Sequence, residues 1–291
     1  MMESPTSVND SGREKGLRIV EGVLGRPVSG KQGFISDLSR AISGGGGYAA
    51  GRIGISEKHW LDYPIIKEKG MHDTQLRVFE SRMRYQAETQ VGIFPGTPDF
   101  LLEYNHFYAD CANELGYLGL VFDTVLDPKI ARQFNWRQPL VYYKDLEPDM
   151  SSPFNSAGCY LEQFKGKKVL LICPFADLLA ERVNRETFDR VWSNTGRAWF
   201  EPESVQALTC PYGIAKETQE RCASAMEIYD DLTGKMRSMD FDVAPVAVGG
   251  AVDSSGRLRK RIWKRGHPLW RQTAGALRCH LSPLEGAAVV A

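Results

Sequence analysis

GKKVLLICPFADLLAERVNRETFDRVW, residues 166–192, decides the fold. Its centre, Val169, Leu170, Leu171, Ile172 and Cys173, is apolar without alternation, as a strand covered on both faces of a parallel sheet requires. A turn follows at once, and then a helical stretch. Downstream, residues 218–239 are amphipathic, with Cys222, Met226, Tyr229, Leu232 and Met236 on one side. FDVAPVAVGG, at 241–250, reads as a second buried strand ending in glycines, in which Pro245 removes one ladder hydrogen bond. This β-α-β alternation implies an α/β fold, an open and mostly parallel sheet flanked by helices, with right-handed crossovers. Ligands of such sheets bind outside the carboxyl ends of the strands. Pro174, Phe175 and Asp177 after the first strand, and Gly249 and Gly250 after the second, are therefore candidate contacts.

Upstream, EPDMSSPFNSAG at 147–158 is rich in Pro, Ser and Asn. It marks a boundary between an N-terminal α/β half, 31–150, and a second half of the same domain, 151–250. In the first half, residues 34–42 place Phe34, Ile35, Leu38 and Ile42 on one helical face, and SGGGG at 43–47 is a connector. YAAGRIGI, 48–55, reads as a buried strand, with Ser56 as N-cap of the helix after it. Residues 73–89 form an amphipathic helix capped by Thr74. A short strand is expected at 91–94, a helix at 100–115, and strands at 116–122 and 140–143. Residues 1–30 are polar and expected to be mobile.

The chain of 291 residues has no formal net charge, which argues against a nucleic-acid partner held by bulk electrostatics. The balance is uneven. Residues 251–291 carry eight Lys/Arg against Asp253 and Glu285, a net +6, and the rest of the chain carries −6. Such a shift marks a divergent basic tail, 251–291. Six cysteines lie far apart without a CxxC pair, so scattered thiols in a reducing compartment fit better than disulfides or a zinc site. The N-terminus lacks an apolar signal core, and no run of about 18 apolar residues occurs. The expectation is a cytoplasmic protein without a transmembrane segment.

Three places can carry chemistry. In GRIGISE, 51–57, Gly54 lies at the strand end and Glu57 beside the first turn of a helix, with Arg52 alternating to the other face. A carboxylate there can hold a divalent metal or act as a base. It serves equally as a first-turn helix acid, stabilising by a few tenths of a kcal/mol. The turn at 173–177 leads to a helix N-terminus, a ready anion site, or is an ordinary strand–helix junction with Asp177 solvated. Gly249 and Gly250 permit close approach of a phosphate or sugar, or simply make a turn. No GxGxxG or GxxxxGK[ST] loop occurs, nor GxSxG or HExxH, so dehydrogenase, P-loop kinase and Ser- or zinc-hydrolase readings lack support. His106 and the lone Trp60, Trp192 and Trp199 read as core residues.

RIG-x-SE (52–57), the 166–188 block, WF at 199–200, PYG at 211–213 and FDVA at 241–244 resemble uncharacterised proteins of bacterial polysaccharide gene clusters. These are similar to GT-D-type glycosyltransferases, whose strand–turn motif reads R-[FIY]-G-[DG]-x-E. The resemblance spans roughly residues 34–250. It implies one Rossmann-like nucleotide-sugar domain, a UDP-sugar donor, a glycan or lipid-linked acceptor, and Mn²⁺ or Mg²⁺ near an acid pair. Glu57 matches the motif's glutamate and Arg52 its arginine, whereas Ile55 stands where the second acid would be. The family's closing C-terminal segment is reduced here to Gly249–Gly250 and a faint AGALRCHLSP at 274–283. A frame-shifted tail that leaves the pocket incomplete accounts for both that departure and the charge shift. The expected function is sugar transfer in polysaccharide biosynthesis. The alternative is a non-catalytic nucleotide-binding or scaffold protein of the same fold, inactive through Ile55 and the altered tail.

Overall fold

The computed structural model describes residues 17–22, 24–44, 48–53, 55–120, 135–142, 146, 160–192, 199–247 and the backbone of 276–278. The side chains of residues 55, 56, 58 and 59 are outside that description. So are Gly54, Gly249, Gly250, the boundary at 147–158 and nearly all of the basic tail.

The fold is α/β, built on two three-stranded parallel sheets flanked by helices. In the first half, α1 (Lys31–Gly44) precedes β1 (Ala49–Arg52), and α2 (Ile55–Glu68), α3 (Asp73–Gln86) and α4 (Pro98–Asn113) lead to β2 (Tyr117–Leu120) and β3 (Leu140–Tyr142). In the second, β4 (Lys168–Cys173) is followed by α5 (Ala176–Arg182), α6 (Arg185–Trp192) and β5 (Ser204–Thr209). Then α7 (Lys216–Arg221) and α8 (Ala225–Met236) lead to β6 (Ala244–Val246). The triplets β3-β2-β1 and β6-β4-β5 are joined by β7 (Ala276–Arg278), which pairs in parallel with β1 and β6. Residues 276–278 of the faint AGALRCHLSP segment therefore contribute a strand to the middle of the sheet.

Side-chain alternation assigns the two faces. Ala50, Tyr117, Val141, Val169 and Val243 pack with Phe34 and Leu38 of α1 and with a 3-10 helix, Tyr160–Phe164. Their neighbours Ala49, Leu118 and Leu140 face α2 and α4 on the opposite side. There Leu170 and Ile172 meet Ala225, Ile228 and Leu232 of α8. The β4–β6 ladder uses the amides of Val243 and Ala247, bonded to Lys168 and Ile172 carbonyls at 3.2 and 2.8 Å, and skips Pro245 as expected.

Several expectations need correcting. Residues 92–97 are irregular and Val91 belongs to a π-turn, Ala87–Val91, so no strand forms at 91–94. The helix expected at 218–239 is two helices. Ser224 caps the second, its Oγ accepting from the Glu227 amide at 3.4 Å while Glu227 accepts from the Ala223 amide at 2.6 Å. That S-x-x-E arrangement is legible at 224–227. Helix α2 begins at Ile55, one residue before Ser56, and His72 rather than Thr74 caps α3, its Nδ1 accepting from the Thr74 amide at 3.3 Å. Residues 17–30 are anchored, not loose. Val20 is wholly buried, Arg26 donates to the carbonyls of Trp136 and Gln138 at 2.7 and 2.9 Å, and Ser29 bridges to Val141.

Two contacts lock distant segments. Gly92 ends the π-turn at φ 77°, and a Cβ there would lie 2.8 Å from the Gly213 backbone, so the two main chains cross without room for a side chain. Gln219 spans the crossing, donating to the carbonyls of Glu88 and Gly213 at 2.8 and 2.9 Å. The second lock follows from Pro64 inside α2, which has no N–H for the Trp60 carbonyl one turn back. Asn105 of α4, 1% exposed, donates to that carbonyl instead. Replacing Asn105 by Ala is expected to cost about 1–3 kcal/mol by leaving a buried carbonyl unpaired. In a Pro64→Ala background, where the helix can supply its own amide, denaturant titration should show a clearly smaller loss. Gly92→Ala is expected to lower stability by at least about 1–3 kcal/mol, the scale of left-handed strain alone. The same titration should show an unfolding midpoint well below wild type.

Candidate functional site at the carboxyl edge of the sheet

Every strand pair is parallel, so the carboxyl ends of β1 and β4 lie along one edge. The chain moves from β1 outward through β2 to β3, and from β4 outward through β5 in the opposite direction. From β5 the chain returns past β4 to β6 and β7, so the reversal lies in the span between β1 and β4 that β7 and β6 fill, and ligands of such sheets bind at reversals of this kind. In the strand order β7 and β6 separate β1 from β4, three spacings, or about 14 Å at the usual strand separation. The two sequence-derived turns therefore share an edge but do not touch through their strands.

At the β1 end, Arg52 is half-buried and Ile53 donates its amide to the Gly119 carbonyl at 2.9 Å. Glu57 lies in the first turn of α2 at 5% exposure. The positive end of the helix dipole favours a carboxylate at this place. A hard divalent ion takes about six oxygen ligands. Among the described residues no cluster of three or more His, Cys, Asp or Glu side chains is placed to hold a metal. Glu57 alone does not make a Mn²⁺ or Mg²⁺ site, and no step below passes through one.

At the β4 end the roles separate. Phe175 is 49% exposed and precedes α5 without capping it by a side chain. Pro174 is half-buried beside it. Asp177 accepts a hydrogen bond from the Thr209 hydroxyl, which in turn accepts from the Asp177 amide at 3.3 Å. This reciprocal pair fastens the start of α5 to the end of β5, so Asp177 has a structural task. The neighbouring thiols are blunted. Burial, followed by the nearby Cys173, pushes Cys210 up to about 12, and burial also raises Cys173. A thiol that keeps its proton is a poor nucleophile.

Other expectations change with burial. Trp60 is core, as expected, but Trp192 and Trp199 are only half-buried and line a cavity of about 180 Å³ against β4 and β6. His106 is exposed, and its neighbour Asn105 is the buried polar residue. The cavity was not legible in sequence, because isolated tryptophans look alike whether they fill a core or border a gap. Among the described residues no helix is long and apolar enough to cross a membrane.

Comparison with family models, with curated proteins and with solved structures finds no match to this chain.

The thiol environments predict an order of reactivity. Raised values leave Cys173 and Cys210 protonated at pH 8, and Cys111 is also buried, whereas Cys222 is partly exposed. Brief alkylation at pH 8 followed by peptide mapping is expected to find Cys222 modified well ahead of those three. Equal labelling of Cys210 would contradict the assignment.

Proposed function

We propose that the chain is a glycosyltransferase that moves a sugar from a nucleoside-diphosphate sugar, such as a UDP-sugar, to a glycan or lipid-linked acceptor. Its sheet would be the Rossmann-like domain that holds the donor. The observation carrying this reading is the reversal of strand order between β1 and β4, with Arg52 and Glu57 on one side of it and the Pro174–Asp177 turn on the other.

In this reading the new bond joins an acceptor oxygen to the anomeric carbon as the bond from that carbon to the diphosphate breaks. The acceptor proton passes to a carboxylate, and negative charge grows on the departing diphosphate. Arg52 supplies a cation for that charge, and the turn around Phe175 borders the same edge. Glu57 accepts hydrogen bonds from sugar hydroxyls or takes the acceptor proton. Its burial fits either role, since a carboxylate shielded from water acts more strongly on a bound partner.

Ile55 in place of a second acid favours a second reading in which the same edge binds a nucleotide without turning it over. Isothermal calorimetry with UDP-sugars, with and without Mn²⁺, tests both. Wild type is expected to bind, and Glu57→Gln or Glu57→Ala to bind at least about tenfold more weakly. No binding by wild type, or undiminished binding by a folded Glu57→Gln, would remove both readings. Binding without release of UDP in a hydrolysis assay selects the second.

A further inference from the structure

The cavity behind β4 differs in chemistry from the carboxyl edge of the sheet. Its floor is the sheet face carrying Val169, Leu171 and Pro245, and α6 closes one side with Phe188 and Val191. Trp199 and Phe200 belong to the lining as well. These aromatic rings are already engaged with one another. Trp199 meets Phe188 edge-on at 5.4 Å and Phe200 at 4.5 Å, and Phe200 meets Phe164 at 6.5 Å.

Polar groups along the cavity are few, and those whose bonds are known turn elsewhere. Asn184 caps α6, its Oδ1 accepting from the Thr187 amide at 2.9 Å while its Nδ2 donates to the Glu181 carbonyl at 3.2 Å. A sugar or nucleotide placed inside would lose water from its hydroxyls and find little to replace it, at about 1–3 kcal/mol for each unpaired group. Hydrocarbon meets no such cost. The volume, about 180 Å³, is on the scale of the roughly 150 Å³ apolar cavity that takes up benzene. Among the described residues the charged member of the lining is Arg182, exposed in the last turn of α5, and its sign favours an anion at the mouth.

We propose that this cavity binds the hydrocarbon chain of a small anionic amphiphile, with the chain between β4 and α6 and the anionic head beside Arg182. An acyl carboxylate and an isoprenyl phosphate share that chemistry. The site lies behind β4 and excludes Arg52 and Glu57, so it stands or falls apart from the donor-binding reading.

The test titrates the full chain with decanoate, geranyl phosphate and uncharged decanol, following intrinsic tryptophan fluorescence, since Trp192 and Trp199 are in the wall. All three are expected to give saturable changes, and the tighter of the two anions names the source of the ligand. Val191→Phe and Leu171→Phe each fill the space and should weaken every probe by about tenfold or more. Arg182→Gln should weaken only the two anions, by about two- to fivefold, and leave decanol unchanged. Glu57→Gln should change none of these titrations. Two filling variants guard against one failing to fold, as judged by far-UV circular dichroism. The proposal is overturned if no probe saturates on wild type, or if a folded filling variant binds like wild type. It is overturned for the head group if Arg182→Gln treats anions and decanol alike.

Discussion

Where the chain crosses itself at Gly92 and Gly213, two backbones pass so closely that neither residue can carry a side chain. The crossing fixes the end of the α3 π-turn against the loop after β5, and so ties the first half of the chain to the second. Gln219 bonds to a carbonyl on each side of it, and the Ala225 amide reaches the Phe94 carbonyl at 2.8 Å. With the halves held in this way, β1 and β4 present their carboxyl ends along a common edge. Any ligand read by both depends on that alignment.

The edge is divided by chemistry. On the β1 side a half-buried arginine and a buried carboxylate stand at the start of a helix whose own geometry is maintained by Asn105. Two turns along α2 from Glu57, Pro64 has removed a backbone bond, and α4 supplies the replacement. On the β4 side the polar residue nearest the turn, Asp177, is committed to Thr209, and both thiols are suppressed by burial. Behind that turn lies apolar space rather than a polar pocket. The molecule therefore carries charge at the β1 end of the edge and apolar surface behind β4.

How much of this could be read in advance follows from how local each determinant is. Strand β4 announces itself because five successive apolar residues have few other uses, and α3 and α4 do so through helical spacing. Strand β5 escapes notice because SVQALT lies at an edge and is mostly half-buried, so its pattern is weak. The break between α7 and α8 was present as an S-x-x-E pair but lay inside a longer amphipathic run. Anchoring of residues 17–30 depends on Arg26 finding carbonyls more than 100 positions away, which no local pattern carries. The same holds for Asn105 and Pro64, and for His106, whose aromatic neighbours suggested a core that its own face of the helix does not meet. At the candidate site, spacing placed Glu57 in a first helical turn, but its burial and the approximate 14 Å separating β1 from β4 are properties of the sheet order.

The central claim is that the reversal of strand order between β1 and β4 is a nucleotide site. A crystal structure of the full chain soaked with uridine diphosphate tests it directly. The account predicts the diphosphate at the carboxyl edge, within reach of Arg52 and the Phe175 turn. Density at the amino edge of the sheet, or none at saturating nucleotide, would contradict it.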